Sequence, residues 1–131
     1  MHGALMRRGL LVLVTVATSL ASCGGGGSSA TNGKCGHPTT QISITAKNNL
    51  FDKTCLVAPA NQAATISFRN QDGGVAHNIQ VFAPNGASVF KGALFTGVKT
   101  ITYHVPALKP GTYTFHCDVH PDSMKGTFVV R

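Results

Sequence analysis

The stretch Tyr113-Thr114-Phe115-His116-Cys117-Asp118-Val119-His120-Pro121-Asp122-Ser123-Met124-Lys125-Gly126-Thr127-Phe128-Val129-Val130 decides how the chain is read. Tyr113 and Phe115 alternate with Thr112 and Thr114, and Phe128 and Val130 alternate with Thr127 and Val129. Such period-two alternation marks strands with one buried face. Cys117 continues the inward parity of Tyr113 and Phe115, so the first strand carries its thiol toward the core. Between the strands lies a short connection bearing Cys117, His120 and Met124. A thiolate, an imidazole and a thioether form a soft ligand set suited to copper that cycles between two oxidation states. The set still lacks one strong ligand, which has to come from elsewhere as a histidine.

His77 is the best placed, because it opens the alternation His77-Asn78-Ile79-Gln80-Val81 and shares the inward face with Ile79 and Val81. By the same parity it reaches the end of the core that Cys117 reaches. Further alternations run through Ile42 and Ile44, Ile66 and Phe68, and Ile101, Tyr103 and Val105. Turn-forming stretches separate them, among them Asn70-Gln71-Asp72-Gly73-Gly74, Pro84-Asn85-Gly86 and Lys109-Pro110-Gly111. Short strands, regular turns and no long amphipathic helix predict an all-β fold, an antiparallel β-sandwich. Residues 83–99 read as a long connection with one short strand or helical turn.

With these residues in view, the chain resembles the cupredoxins, small blue-copper electron carriers of the plastocyanin, amicyanin and pseudoazurin kind. The resemblance covers residues 41–131 and implies a Greek-key sandwich holding one copper ion. It implies Cys117, His77 and His120 as a trigonal ligand set and Met124 as a weak axial ligand that tunes potential. Asn78 resembles the asparagine that ties the two ligand loops together near the cysteine sulfur. Three residues separate His120 from Met124, a spacing between those of plastocyanin-like and amicyanin-like loops. Among the other histidines, His37 falls in a loop, His104 faces outward, and His2 lies in the N-terminal segment. His116 is outward by parity but adjoins Cys117, where plastocyanins carry an exposed aromatic linked to electron entry.

Residues 1–22 read as an export segment, with Arg7 and Arg8 before an apolar run from Leu10 to Ala21. That run is about a dozen residues long, short of the roughly 20 needed to span a bilayer. Its end, Leu20-Ala21-Ser22-Cys23, resembles the bacterial lipobox, which implies lipidation at Cys23 and a membrane-anchored, extracytoplasmic lipoprotein. Residues 23–40 follow as a lipidated cysteine and a Gly/Ser-rich tether, and residues 41–131 form the copper domain. With Cys23 assigned to lipid and Cys117 to copper, Cys35 and Cys55 remain as a pair for a disulfide in an oxidising compartment. Two free thiols, or a copper-collecting pair with His37, are the alternatives. Closing about 20 residues contributes on the order of 3 kcal/mol in the chain-entropy model.

The formal charge of the 131-residue chain is +7, and loss of Arg7 and Arg8 with the export segment lowers it by two. The remaining basic residues are scattered singly, so no run points to nucleic acid. They suit an acidic redox partner or anionic lipid. The leading function is single-electron transfer between extracytoplasmic partners by a monomer that is not an enzyme, with docking near His120. Copper storage or delivery is the main rival, but delivery needs exposed Met- or His-rich sites. Met124 is the one methionine after Met1 and Met6 are removed. A multicopper oxidase or nitrite reductase needs further copper held by His-x-His pairs, which the sequence lacks. A binuclear copper domain needs a second cysteine in the Cys117 loop.

Overall fold

Ile42, Ile44 and Ala46 turn inward along the first strand, while Gln41, Ser43 and Lys47 face water. The same alternation recurs through the sheets of the computed structural model, which describes residues 35–131. The expected export segment, Cys23, His2 and the tether up to residue 34 lie outside the described residues. In chain order the strands are β1 (Gln41–Lys47), β2 (Leu50–Phe51), β3 (Cys55–Ala58), β4 (Ala64–Asn70), β5 (Ala76–His77) and β6 (Gln80–Phe82). There follow β7 (Ser88–Lys91), β8 (Phe95–Thr96), β9 (Lys99–Val105), β10 (Gly111–His116) and β11 (Lys125–Val130).

Two sheets face each other, one in the order β2-β1-β4-β9 and the other β3-β11-β10-β6-β7. Their inner faces contribute Ile44, Ile66 and Phe68 from one side and Val81, Phe115 and Phe128 from the other, all essentially buried. Aromatic contacts bridge the layers: the rings of Phe51 and Phe115 are 5.5 Å apart. Within the first sheet, Phe68 of β4 stacks on Tyr103 of the adjacent β9 at 5.7 Å. Each such side chain removes well over 100 Å² of apolar surface from water, the main source of stability in a fold of this size.

The all-β sandwich agrees with the period-two reading, with three differences. β1 pairs with β4, and β3 with β11, in parallel rather than antiparallel fashion. Residues 83–99 hold two short strands, β7 and β8, because β7 pairs with β6 and β8 pairs with β5 in a small separate ribbon. Finally, the alternation from His77 to Val81 is not one strand. It breaks at Asn78 and Ile79, and Asn78 is completely buried instead of facing outward.

Gly126 is required by close approach. A Cβ there would meet the Thr54 carbonyl oxygen at 2.4 Å and the Phe115 ring at 2.6 Å. The ring belongs to the residue paired with Gly126 across β10 and β11, and the carbonyl is backbone, so neither yields cheaply. Gly126→Ala is expected to destabilise the purified protein by about 1–3 kcal/mol, read as a lower urea midpoint with an unchanged slope.

Candidate metal centre

Four side chains expected from the sequence arrive at one end of the sandwich by four local routes. His77 ends β5, Cys117 follows β10, and His120 lies on the connection to β11. Met124 closes that connection immediately before β11. The connection is fixed by its own backbone: the Met124 amide donates to the His120 carbonyl, and the Cys117 amide to the Met124 carbonyl, each at 2.9 Å. The donor atoms of His77, Cys117 and His120 lie within 4.8 Å of one another. Cys117 Sγ is 3.7 Å from His77 Nδ1, and the two imidazole rings are 5.0 Å apart. His77, Cys117 and Met124 are completely buried, whereas His120 is half-buried.

The residues fit a soft metal ion. His120 Nδ1 is buried without a hydrogen-bond partner, although an imidazole nitrogen shut away from water normally has one. Cys117 is the one free cysteine among the described residues, and it is buried. A thiol and two imidazole nitrogens converging within 4.8 Å, with a thioether on the same connection, match copper better than a hard cation.

A second layer of polar groups holds this one in place. Asn78 Oδ1 accepts the Asp118 amide at 2.9 Å, and its Nδ2 donates to Asp118 Oδ2 and to the Gly92 carbonyl, each at 3.0 Å. One side chain thereby ties the His77 segment to the residue after Cys117. Lys91 Nζ meets the same Asp118 oxygen at 2.7 Å. Burial pushes the Asp118 carboxyl up, but Lys91 and Asn78 together bring it below its ordinary value. On the other flank, Asp72 Oδ2 lies 2.9 Å from His77 Nε2. The Asn48 amide, against the opposing effect of burial and with help from the Asn49 amide and His77, holds the Asp72 carboxyl below the usual carboxylate range. A carboxylate can only accept, so His77 donates through Nε2 and its Nδ1 faces Cys117.

The remaining sequence candidates are placed as follows. Cys35 and Cys55 are joined in a disulfide with Cα atoms 5.0 Å apart. It ties the start of the described chain to β3. His37 and His104 are exposed. His116 is half-buried, and its ring stacks on Phe82 at 4.5 Å and 20°. Asp72 and Asp118 were missed as site residues. The signal available was scarcity: the chain has only four acidic residues, and one of them directly follows Cys117.

The family model described as a cupredoxin-like domain matches residues 10–130. Auracyanin-A of Chloroflexus aurantiacus is 32% identical over 93% of this chain and 94% of its own. The structure of auracyanin A from that organism, described as a "blue" copper protein, covers 72% of this chain and 100% of its own, with 26% identity and a TM-score of 0.62. Reduced auracyanin from Roseiflexus castenholzii covers 72% of this chain and 99% of its own at a TM-score of 0.64 and 22% identity, a likeness of fold. A family match spanning nearly the whole chain, together with a relative aligned almost end to end, shows that the chain belongs to the cupredoxin-like family.

Proposed function

We propose that this protein is a type 1 (blue) copper electron carrier in which His77, Cys117 and His120 hold one copper ion and Met124 is the weak axial ligand. The observation that carries the reading is the convergence of three donor atoms within 4.8 Å, one of them the buried, unpartnered His120 Nδ1. Bound there, copper supplies a one-electron couple between Cu(I) and Cu(II). The protein's part is to keep its donors still. Asp72 orients His77, Asn78 joins the two ligand-bearing segments, and two backbone hydrogen bonds close the connection that carries His120 and Met124. Ligands fixed in this way need little rearrangement when charge changes, which favours fast transfer over chemistry on a substrate.

Burial weighs against storage or delivery. His77 and Cys117 have no exposed surface, so a metal held there exchanges slowly, whereas a delivery site must release its cargo to a partner. His120 differs from the other ligands because it is half-buried. Its Nδ1 is buried, and its chain neighbours Val119 and Pro121 are exposed. Val98, also exposed, lies 3.8 Å from the position a Cβ on Gly73 would take, on the turn leading to His77. Uncharged, apolar side chains beside His120 suit a monomeric carrier whose complexes form and separate quickly. The disulfide supports an extracytoplasmic location. Residues 1–22 as signal peptide, Cys23 as lipid anchor, residues 23–40 as tether and 41–131 as the copper domain complete the proposal.

The purified protein is expected to bind one copper ion and to become intensely coloured on oxidation, through thiolate-to-copper charge transfer. Cys117→Ala removes that colour, and a variant that stays blue contradicts the ligand assignment. His77→Ala opens a coordination position, seen as a spectral change when imidazole is added.

A charged residue at Val75 or Pro121 is expected to slow electron exchange with the redox partner while leaving the copper spectrum nearly unchanged. The competing route runs through His116 and its stacked neighbour Phe82. Slower exchange in His116→Ala, with no effect of the patch substitutions, would place electron entry there instead.

In cells making the full chain, Cys23→Ser is expected to move the protein from membranes to the soluble fraction. Unchanged partition between the two fractions contradicts the lipid anchor.

A further inference from the structure

Asp72 sits on the turn between β4 and β5, five residues before His77, and its side chain is only 13% exposed. Both oxygens are engaged. Oδ1 accepts the Asn48 amide at 2.8 Å, and Oδ2 accepts the Asn49 amide at 3.1 Å and the His77 Nε2–H at 2.9 Å. Asn48 and Asn49 are the two central residues of the β1–β2 hairpin, with φ of 53° and 55°. Two successive left-handed residues make the tight turn of a two-residue hairpin, which asparagine tolerates better than most residues. Both amides of this turn are aimed at the one carboxylate.

The turn that carries Asp72 is itself pinned. The Asp72 amide donates to Asn70 Oδ1 at 2.8 Å, and Asn70 Nδ2 donates to the Val75 carbonyl at 2.9 Å, with Asn70 completely buried. The hairpin tip also reaches the other ligand segment: Ser123 Oγ donates to the Asn49 carbonyl at 3.0 Å, one residue before Met124. The Asn48–Asn49 tip is therefore bonded to both flanks of the site, through Asp72 on the His77 side and through Ser123 on the Met124 side.

We propose that Asp72 is a positioning residue of the metal centre: clamped by the Asn48 and Asn49 amides, it fixes His77 with Nδ1 toward Cys117 and biases the site toward the oxidised metal. This rests on the copper reading above. A carboxylate bonded to the far nitrogen of a ligating imidazole makes the near nitrogen a stronger donor. Its negative charge, one ring away from the metal position and mostly out of water, favours the more positive of the two metal states. A carboxylate that served only as a hairpin staple would affect stability and leave the redox balance alone. Asp52 is such a staple, because its Oδ1 accepts the Thr45 amide of the same hairpin at 2.7 Å without contacting a ligand.

The test is redox titration of the copper-loaded full chain, comparing Asp72→Asn with Asp52→Asn. Both substitutions remove one negative charge; Asp72→Asn weakens two hairpin contacts and Asp52→Asn one. Asp72→Asn is expected to shift the reduction equilibrium toward Cu(I) by about threefold or more, about 28 mV at about 59 mV per tenfold for one electron. Asp52→Asn is expected to shift it by less. Equal shifts in the two variants, or no shift in Asp72→Asn, overturn the proposal. If Asp72→Asn does not fold, nitrogen NMR of the His77 ring in the metal-free wild-type protein decides instead. A proton on Nε2 with Nδ1 bare is the result expected, and a proton on Nδ1 overturns the proposal. That measurement needs no copper, so its outcome stands apart from any failure of the copper reading, which would appear as absent thiolate charge transfer in the wild type.

Discussion

The hydrogen bonds between Asn78 and Asp118 join two segments 40 residues apart in the chain. Each partner is the immediate neighbour of a candidate ligand, His77 on one side and Cys117 on the other. Neither ligand could hold its place alone, since His77 ends a two-residue strand and Cys117 follows the last residue of β10. Bringing them together inside the protein means burying the Asn78 amide, an arrangement that is tolerable only when its polar atoms are paired. They are paired to Asp118 and to the Gly92 carbonyl. The break in the strand at Asn78 is therefore the condition for the site, because a continuous strand would direct that side chain to the opposite face.

Around this link the sandwich acts as a rigid frame. Phe51, Phe68, Phe115 and Ile79 fill the core beneath the ligands, and close-packed interiors resist small displacements. Rigidity serves a carrier, which must return to one geometry after every transfer. Access is kept to one point: three of the four candidate ligands have no exposed surface, and His120 alone is half-buried. Function as a carrier depends on both properties, a still interior and one narrow contact with the outside.

Much of this was legible in the residues. Cys117, His120 and Met124 announce a soft site by their types and proximity, and His77 follows from parity along an apolar alternation. The structure brings His77, Cys117 and His120 together and buries Met124 on the same connection. Parity failed at Asn78, since period-two reasoning assumes an unbroken strand. It also passed over β3, where Leu56, Val57 and Ala58 are all buried and no alternation exists. The parallel pairing of β1 with β4 and of β3 with β11 leaves no local mark, because register between distant strands is set by packing of whole sheets. Asp72 was read correctly as a turn residue, yet its partners Asn48 and Asn49 lie 24 and 23 residues upstream. Only the folded hairpin brings those amides to it.

The central claim is that the fold builds one copper cage whose ligand set survives the change of oxidation state. X-ray absorption at the copper edge, recorded on the same protein oxidised and reduced at neutral pH, tests it most directly. The account predicts one short sulfur bond and two imidazole nitrogens in both states, with only small changes in their lengths. Loss of a nitrogen ligand on reduction, or a site with no short sulfur bond in the oxidised protein, would contradict it.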